Sequence, residues 1–171
     1  MKAATCVRLS ALLIVGAILF PPATARALES DQNQPVYLRA DSIVYNEATG
    51  KSEYRGGVSL RQGSLHISAD VATAIRHGRE LETVTAQGRP ARARQLVEEE
   101  PREIILRGEN IRYDAHPRQI TLNGQVDVQR GRDRIAADKA IYDLDKGILE
   151  AWGRPGHPIS ATLWRQPETK P

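Results

Sequence analysis

Residues 38–72 are repeated as residues 106–140. Sliding the chain along itself by 68 positions brings Leu38-Arg39 onto Leu106-Arg107, Ile43 onto Ile111 and Tyr45 onto Tyr113. Gly56, Val58, Gly63, Ile67, Ala69-Asp70 and Ala72 also meet identical residues, making 11 identities in 35 positions without a gap. The register then slips by three, and Gly88-Arg89-Pro90 meets Gly153-Arg154-Pro155. A duplication of this length means that one supersecondary unit is used twice. The fold must accommodate two such units.

The unit reads as β. In the second copy, Ile120, Leu122, Gly124, Val126 and Val128 alternate with polar residues over ten positions, a period of two. The first copy agrees: Tyr54, Val58 and Leu60 oppose Arg55, Ser59 and Arg61, and Leu65, Ile67 and Ala69 alternate with His66, Ser68 and Asp70. Ile159, Ala161 and Leu163 repeat the pattern near the C-terminus. Turn residues fall between these runs, at Ala48-Thr49-Gly50, Gln62-Gly63, His77-Gly78, Gln87-Gly88, His116-Pro117, Arg130-Gly131, Lys146-Gly147 and Gly153-Arg154-Pro155. Gly and Pro between alternating runs predict antiparallel hairpins. No stretch holds a helical period over three turns. Ala69–Arg76 could form a short helix, but the repeat places it in a strand.

The expected fold is therefore all-β, an antiparallel sheet made of two repeated strand units, wet on one face and apolar on the other. Such a face must be buried by stacking or curling. Stacked units that never close leave two open edges able to pair with another chain. Val36–Arg39 is the predicted first strand and Ile159–Trp164 the last, which makes Val36, Leu38, Ile159, Ala161 and Leu163 candidate partner-edge residues.

The N-terminus has a different character. Lys2 and Arg8 precede an apolar stretch from Ala11 to Phe20, followed by small-x-small sites at Ala23-Thr24-Ala25 and Ala25-Arg26-Ala27. That is the chemistry of a secretory signal peptide, expected to be cleaved after Ala27. The stretch is shorter than the roughly 20 residues that span a bilayer. Cys6 lies before it, so no lipid anchor is expected. The expected organisation is a cleaved signal at 1–27, one β-domain at 28–165 and a polar tail at 166–171. The 24 basic residues include three in 1–27, leaving 21 against 21 acidic ones. A mature chain without basic excess argues against nucleic acid as a partner. Residues 28–171 hold no Cys, Met or Phe, so stability rests on packing and backbone pairing.

Little in the sequence points to catalysis, a metal or a cofactor. Asp70 and Asp138 are repeat mates, as are Asp41 and Glu109, but each sits on the wet side or at a strand end, where capping or solvation explains it. His66, His77, His116 and His157 match no metal-ligand spacing. Arg89, Arg92 and Arg94 precede Glu98-Glu99-Glu100; these charges form either a polar hairpin connection or an arginine cluster ready for an anionic headgroup. Trp152 and Trp164 are core or interface aromatics.

The ordered set of signal, Gln34-Pro35-Val36, Asp41, Gly56-Gly57-Val58, Gln62-Gly63, Ile67-Ser68-Ala69-Asp70, Gly88-Arg89-Pro90 and Leu122-Asn-Gly124-Gln-Val126 resembles the OstA-like family of periplasmic lipopolysaccharide-transport proteins. The likeness covers essentially all of 28–171. It implies an open-ended, twisted β-jellyroll in the periplasm whose apolar interior holds the acyl chains of lipopolysaccharide (its lipid A). Its implied partners are LptC-like and LptD-like proteins of the same bridge, and further copies of itself end to end. Lipid-contacting positions carried over from the family are Val36, Leu38, Tyr113, Ala93 and Ala115. Alternation adds Ile43, Tyr45, Val58, Leu60, Ile67, Ile111, Val126 and Val128. Ala93 stands where the family can carry a bulky aromatic. Two other readings stay open: an adaptor that pairs strand edges without binding lipid, and a module acting on envelope glycans, which would need paired acids or exposed aromatics in a cleft.

Overall fold

The period-two alternation becomes a single antiparallel sheet of ten strands. The computed structural model describes residues 31, 33–97 and 103–164; the predicted signal (1–27), the acidic run Glu98–Glu100 and the polar tail (166–171) lie outside the described residues. The strands are β1 (Tyr37–Arg39), β2 (Ser42–Asn46), β3 (Lys51–Gln62), β4 (Leu65–His77), β5 (Glu80–Leu96), β6 (Glu103–Asp114), β7 (Gln119–Arg130), β8 (Asp133–Asp143), β9 (Ile148–Trp152) and β10 (Ser160–Thr162). From β3 to β8 the order in the sheet is the order in the chain. β1 and β2 both pair with β3, one on each half of it, and β9 and β10 divide β8 in the same way.

This division explains the repeat. β1 and β2 together match β6: Leu38-Arg39 answers Leu106-Arg107 in its first half, and Ile43 and Tyr45 answer Ile111 and Tyr113 in its second. The first copy breaks that strand at Ala40-Asp41, where the second passes through Gly108-Glu109 unbroken. Each unit is therefore a meander of four long strands, with the outermost strand of each edge split in two.

Every long strand bends at its middle. Register shifts interrupt β3/β4 between Arg55 and Val58, β4/β5 between Ser68 and Val71, and β5/β6 between Gln87 and Ala91. They continue in β6/β7 between Arg107 and Asn110 and in β7/β8 between Asn123 and Val126. Bulges increase twist and turn a strand, and a line of them folds the sheet. In β4 the buried positions change from Leu65 and Ile67 to Ala72 and Ala74, so the inward parity switches across the bend. β5 and β6 switch likewise. β3 and β7 keep their parity by inserting two left-handed residues, Gly56 (φ 77°) and Gly57 (φ 49°), matched by Gly124 (φ 75°) and Gln125 (φ 46°).

The repeated acids belong to this device. A Cβ at Gly56 would collide with the Asp41 carboxylate, and one at Gly124 with the Glu109 carboxylate. Each acid thus seats on the glycine of its own copy. Glu109 also accepts a hydrogen bond from Gln125 Nε2 at 2.7 Å. Asp138, at the bend of β8, pairs with Arg154 at 3.4 Å.

Three expectations need correction. Gln87-Gly88 is not a turn, and Arg89–Leu96 is not a hairpin connection, because β5 runs through both. Ala91, Ala93 and Gln95 point inward while Arg92 and Arg94 are exposed, so the arginines are the wet face of a strand and Gly88 lies at its bulge. The terminal strands are shorter than Val36–Arg39 and Ile159–Trp164. β10 stops at Thr162, and the Trp164 amide bonds the Asp133 carboxylate at 2.8 Å instead of continuing the ladder.

Candidate functional site

The bend line divides the sheet into two halves whose apolar faces bury into one cluster. One half carries Val58, Leu60, Leu65, Ile67, Leu106 and Val128; the other carries Val84, Ile111, Tyr113, Ile120, Leu122 and Tyr142, all buried. Burying each such side chain contributes roughly 1.5–3 kcal/mol. The halves close on one another at their ends: the Tyr113 hydroxyl donates to Gln62 Oε1 at 2.8 Å, although β4 and β5 separate their strands in the sheet. Near the same end of β3, Gln95 Nε2 donates to Asp31 Oδ2 at 2.9 Å and to Ser64 Oγ at 2.8 Å, and Ser64 Oγ also donates to Asp31. These bonds pin Asp31 onto the β3–β4 turn and β5.

The interior is apolar, and small side chains line its middle strands. β4 and β5 present Ala72, Ala74, Ala86, Ala91 and Ala93. The phenols of Tyr113 and Tyr142, buried on the inner face of β6 and β8, are both pushed above the ordinary tyrosine range by burial. Arg118 beside Tyr113 opposes that rise. Such a lining can take up hydrocarbon, with each CH₂ removed from water contributing about 0.8 kcal/mol.

The predicted lining residues fall into three groups. Val58, Leu60, Ile67, Ala93, Ile111, Tyr113, Val126 and Val128 are buried on the inner face. Val36, Leu38 and Ala115 are partly buried and pack against the same cluster. Ile43 and Tyr45 differ. They pair with Tyr54 and Ser52, which puts them on the inner face, yet they are 57% and 51% exposed. Their mates Ile111 and Tyr113 are buried because β6 has a strand on either side, whereas β2 is an edge with no strand beyond it among the described residues. The apolar interior therefore runs out into the open at this edge.

Among the predicted edge residues, Ile159, Ala161 and Leu163 are exposed, while Val36 and Leu38 turn inward and leave Tyr37 exposed between them. β2 and β9 are edges as well, and sequence reasoning missed them; the mating of Ile43 and Tyr45 with Ile111 and Tyr113 was the available signal. Trp152 and Trp164 are exposed beneath Lys139 and Arg132, at 5.5 and 5.8 Å.

Several openings lie among the described residues. On the outer side of the bend, a groove of about 840 Å³ is lined by both signs of charge, including Asp70, Arg89, Glu109 and Asp127. Asp127 is already held between Arg107 and Arg134. At the slit between the two halves, a cleft of about 460 Å³ is lined by Val36, Gln62, Leu81, Tyr113, Ala115 and Arg118, among others. Arg118 is 7% exposed and pairs through Nη1 with Asp145 at 2.8 Å. Sequence reasoning missed it, because the turn at His116-Pro117 suggested a solvated neighbour.

A family model described as "LptA/(LptD N-terminal domain) LPS transport protein" matches residues 37–148, from the first strand to the start of β9. The chain belongs to that family. The match thus covers both copies of the repeat, 38–72 and 106–140. The lipopolysaccharide export system protein LptH of Pseudomonas aeruginosa is 28% identical over 138 residues, 80% of this chain and 79% of its own. The lipopolysaccharide export system protein LptA of Escherichia coli K12 is 22% identical over 154 residues, 89% of this chain and 83% of its own. The crystal structure of LptH from Pseudomonas aeruginosa, the LptA-homologous periplasmic component of a lipopolysaccharide transport device, superposes with a TM-score of 0.74 at 25% identity. That match covers 80% of this chain and 99% of the LptH chain. The fold of this LptA-family member is accordingly an open β-jellyroll, and lipopolysaccharide transport is its function.

Proposed function

We propose that the chain carries lipopolysaccharide across the periplasm as one segment of a protein bridge, with the acyl chains lying between the two half-sheets. The observation that carries this reading is the continuous apolar inner face, which is buried in the middle strands and emerges uncovered at Ile43 and Tyr45. Open edges at β1/β2 and β9/β10 let the interior of one copy continue into the next, or into LptC-like and LptD-like proteins built the same way. The exposed Tyr37, Ile148, Ile159 and Leu163 beside these edges fit burial in such a joint. The signal at 1–27 is removed after Ala27 on export, leaving a single domain over 28–165. The role is non-enzymatic: sheltering and alignment are what the lining offers.

The open edges fit an adaptor that joins protein strands without lipid equally well, and one experiment separates the two. The purified protein is mixed with lipopolysaccharide aggregates and passed over a sizing column. The carrier reading expects lipopolysaccharide to leave its aggregates and co-elute with folded protein, and expects Leu106→Asp to abolish this at any concentration where that variant stays folded. Aggregates that elute unchanged beside folded wild-type protein overturn the carrier reading in favour of the adaptor.

A further inference from the structure

Arg118 is more than nine-tenths buried, and its Nε and Nη2 meet no hydrogen-bond partner at good geometry among the described residues, although the Tyr113 hydroxyl lies close enough to interact with the guanidinium. Nη1 is engaged with Asp145. Nε and Nη2 form the side-on fork of the guanidinium, whose two parallel N–H groups match the two oxygens of a phosphate or carboxylate. Leaving a charged donor buried and unmatched is costly, and the fold does so beside the cleft at the slit between the half-sheets. The cleft wall is mixed: Val36, Leu81 and Ala115 line it and pack against the core cluster, with Gln62, Glu80 and His116 among its polar residues.

We propose that Arg118 receives the anionic headgroup, of phosphate type, of an amphiphile whose chains enter the interior past Tyr113. This rests on the carrier reading above and adds to it a headgroup site. The charges around the cleft argue for a tethered anion over a free one. Asp145 offsets the Arg118 charge, and Glu80 also lines the cleft, so inorganic phosphate meets little net attraction there. A headgroup attached to acyl chains brings apolar contact with Val36, Leu81 and Ala115 as well. The fork then selects for two oxygens side by side.

The test measures binding of the purified wild-type protein to diphosphoryl lipid A, to the same lipid after phosphatase treatment, to inorganic phosphate and to a neutral alkyl maltoside. Diphosphoryl lipid A is expected to bind at least about tenfold more tightly than its dephosphorylated form, the effect of a charge-assisted bidentate pair. The difference should collapse in Arg118→Gln and shrink in Arg118→Lys, which keeps a charge facing Asp145 but has no fork. Inorganic phosphate at millimolar concentration should not compete. Equal binding of the two lipid forms by wild type overturns the headgroup site and leaves the carrier reading standing. Competition by inorganic phosphate alone overturns the amphiphile assignment in favour of a free-anion site. No binding of either lipid overturns both readings. If Arg118→Gln fails to fold, the wild-type comparison and Arg118→Lys decide the matter.

Discussion

Replacing Gly124 by Ala should destabilise the protein through two separable effects. Its φ of 75° lies in the left-handed region, where a Cβ costs roughly 1–2 kcal/mol. That Cβ would also collide with the Glu109 carboxylate, displacing it from Gln125 and adding about 0.5–1 kcal/mol. The sum is about 1.5–3 kcal/mol. Gly57→Ala isolates the first effect, because its φ is 49° and a Cβ there has open space. It should cost only about 1–2 kcal/mol. Urea unfolding followed by far-ultraviolet circular dichroism resolves the difference, since slopes of about 1–3 kcal/mol per molar turn it into midpoint shifts of about 0.2–1 M. Glu109→Ala should cost about 0.5–1 kcal/mol by itself but add nothing in the Gly124→Ala background, where its bond to Gln125 is already broken. If Gly124→Ala and Gly57→Ala cost the same, the seating of repeated acids on repeated glycines does not stabilise the bend, and the reasoning fails.

The other predictions use the same geometry. Ile111→Ala should cost about 2–5 kcal/mol in denaturant unfolding, whereas Ile43→Ala, its exposed repeat mate, should cost well under half as much. Tyr113→Phe removes the bond to Gln62 across the slit and should lower unfolding stability by about 1 kcal/mol with the fold intact. His66 accepts from Arg94 Nε at Nδ1, 3.2 Å away, and contacts Ser59 Oγ through Nε2 at 3.0 Å. Burial, then Arg94 and Arg61, lower its pKa below the usual 6.5. The unfolded chain therefore takes up its proton first as pH falls, and the contribution present above pH 6.5 is lost as pH drops from there through the folded pKa. His66→Gln should flatten the melting temperature against pH in that window.

Much of this architecture was legible in the sequence because alternation and turn chemistry are local. The duplication, the hairpin ends at Gln62-Gly63 and Arg130-Gly131, and the inward positions from Val58 to Val128 follow from period two. What escaped depends on neighbours far along the chain. Ile43 and Tyr45 have the pattern of core residues, and only their place at the sheet edge exposes them. Gly88 has the composition of a turn, but the arginines after it alternate with inward alanines, so the strand continues through a bulge. The parity switches in β4, β5 and β6 arise from the line of bulges, which no single strand reveals. Arg118 follows a polar turn, and it is buried only because the sheet folds back and brings Gln62 against Tyr113.

The central claim is that the space between the half-sheets shelters acyl chains, and the most direct test is facing-specific photo-crosslinking. A photoreactive residue is placed at Tyr113, which is 1% exposed on the inner face, and in a second protein at Arg112, which is exposed and bound to Asp114 on the outer face. Each folded protein is irradiated with lipopolysaccharide. The account predicts an adduct at 113 and none at 112. Equal adducts at both positions, or none at 113 and none at the neighbouring inward position 111, would contradict it.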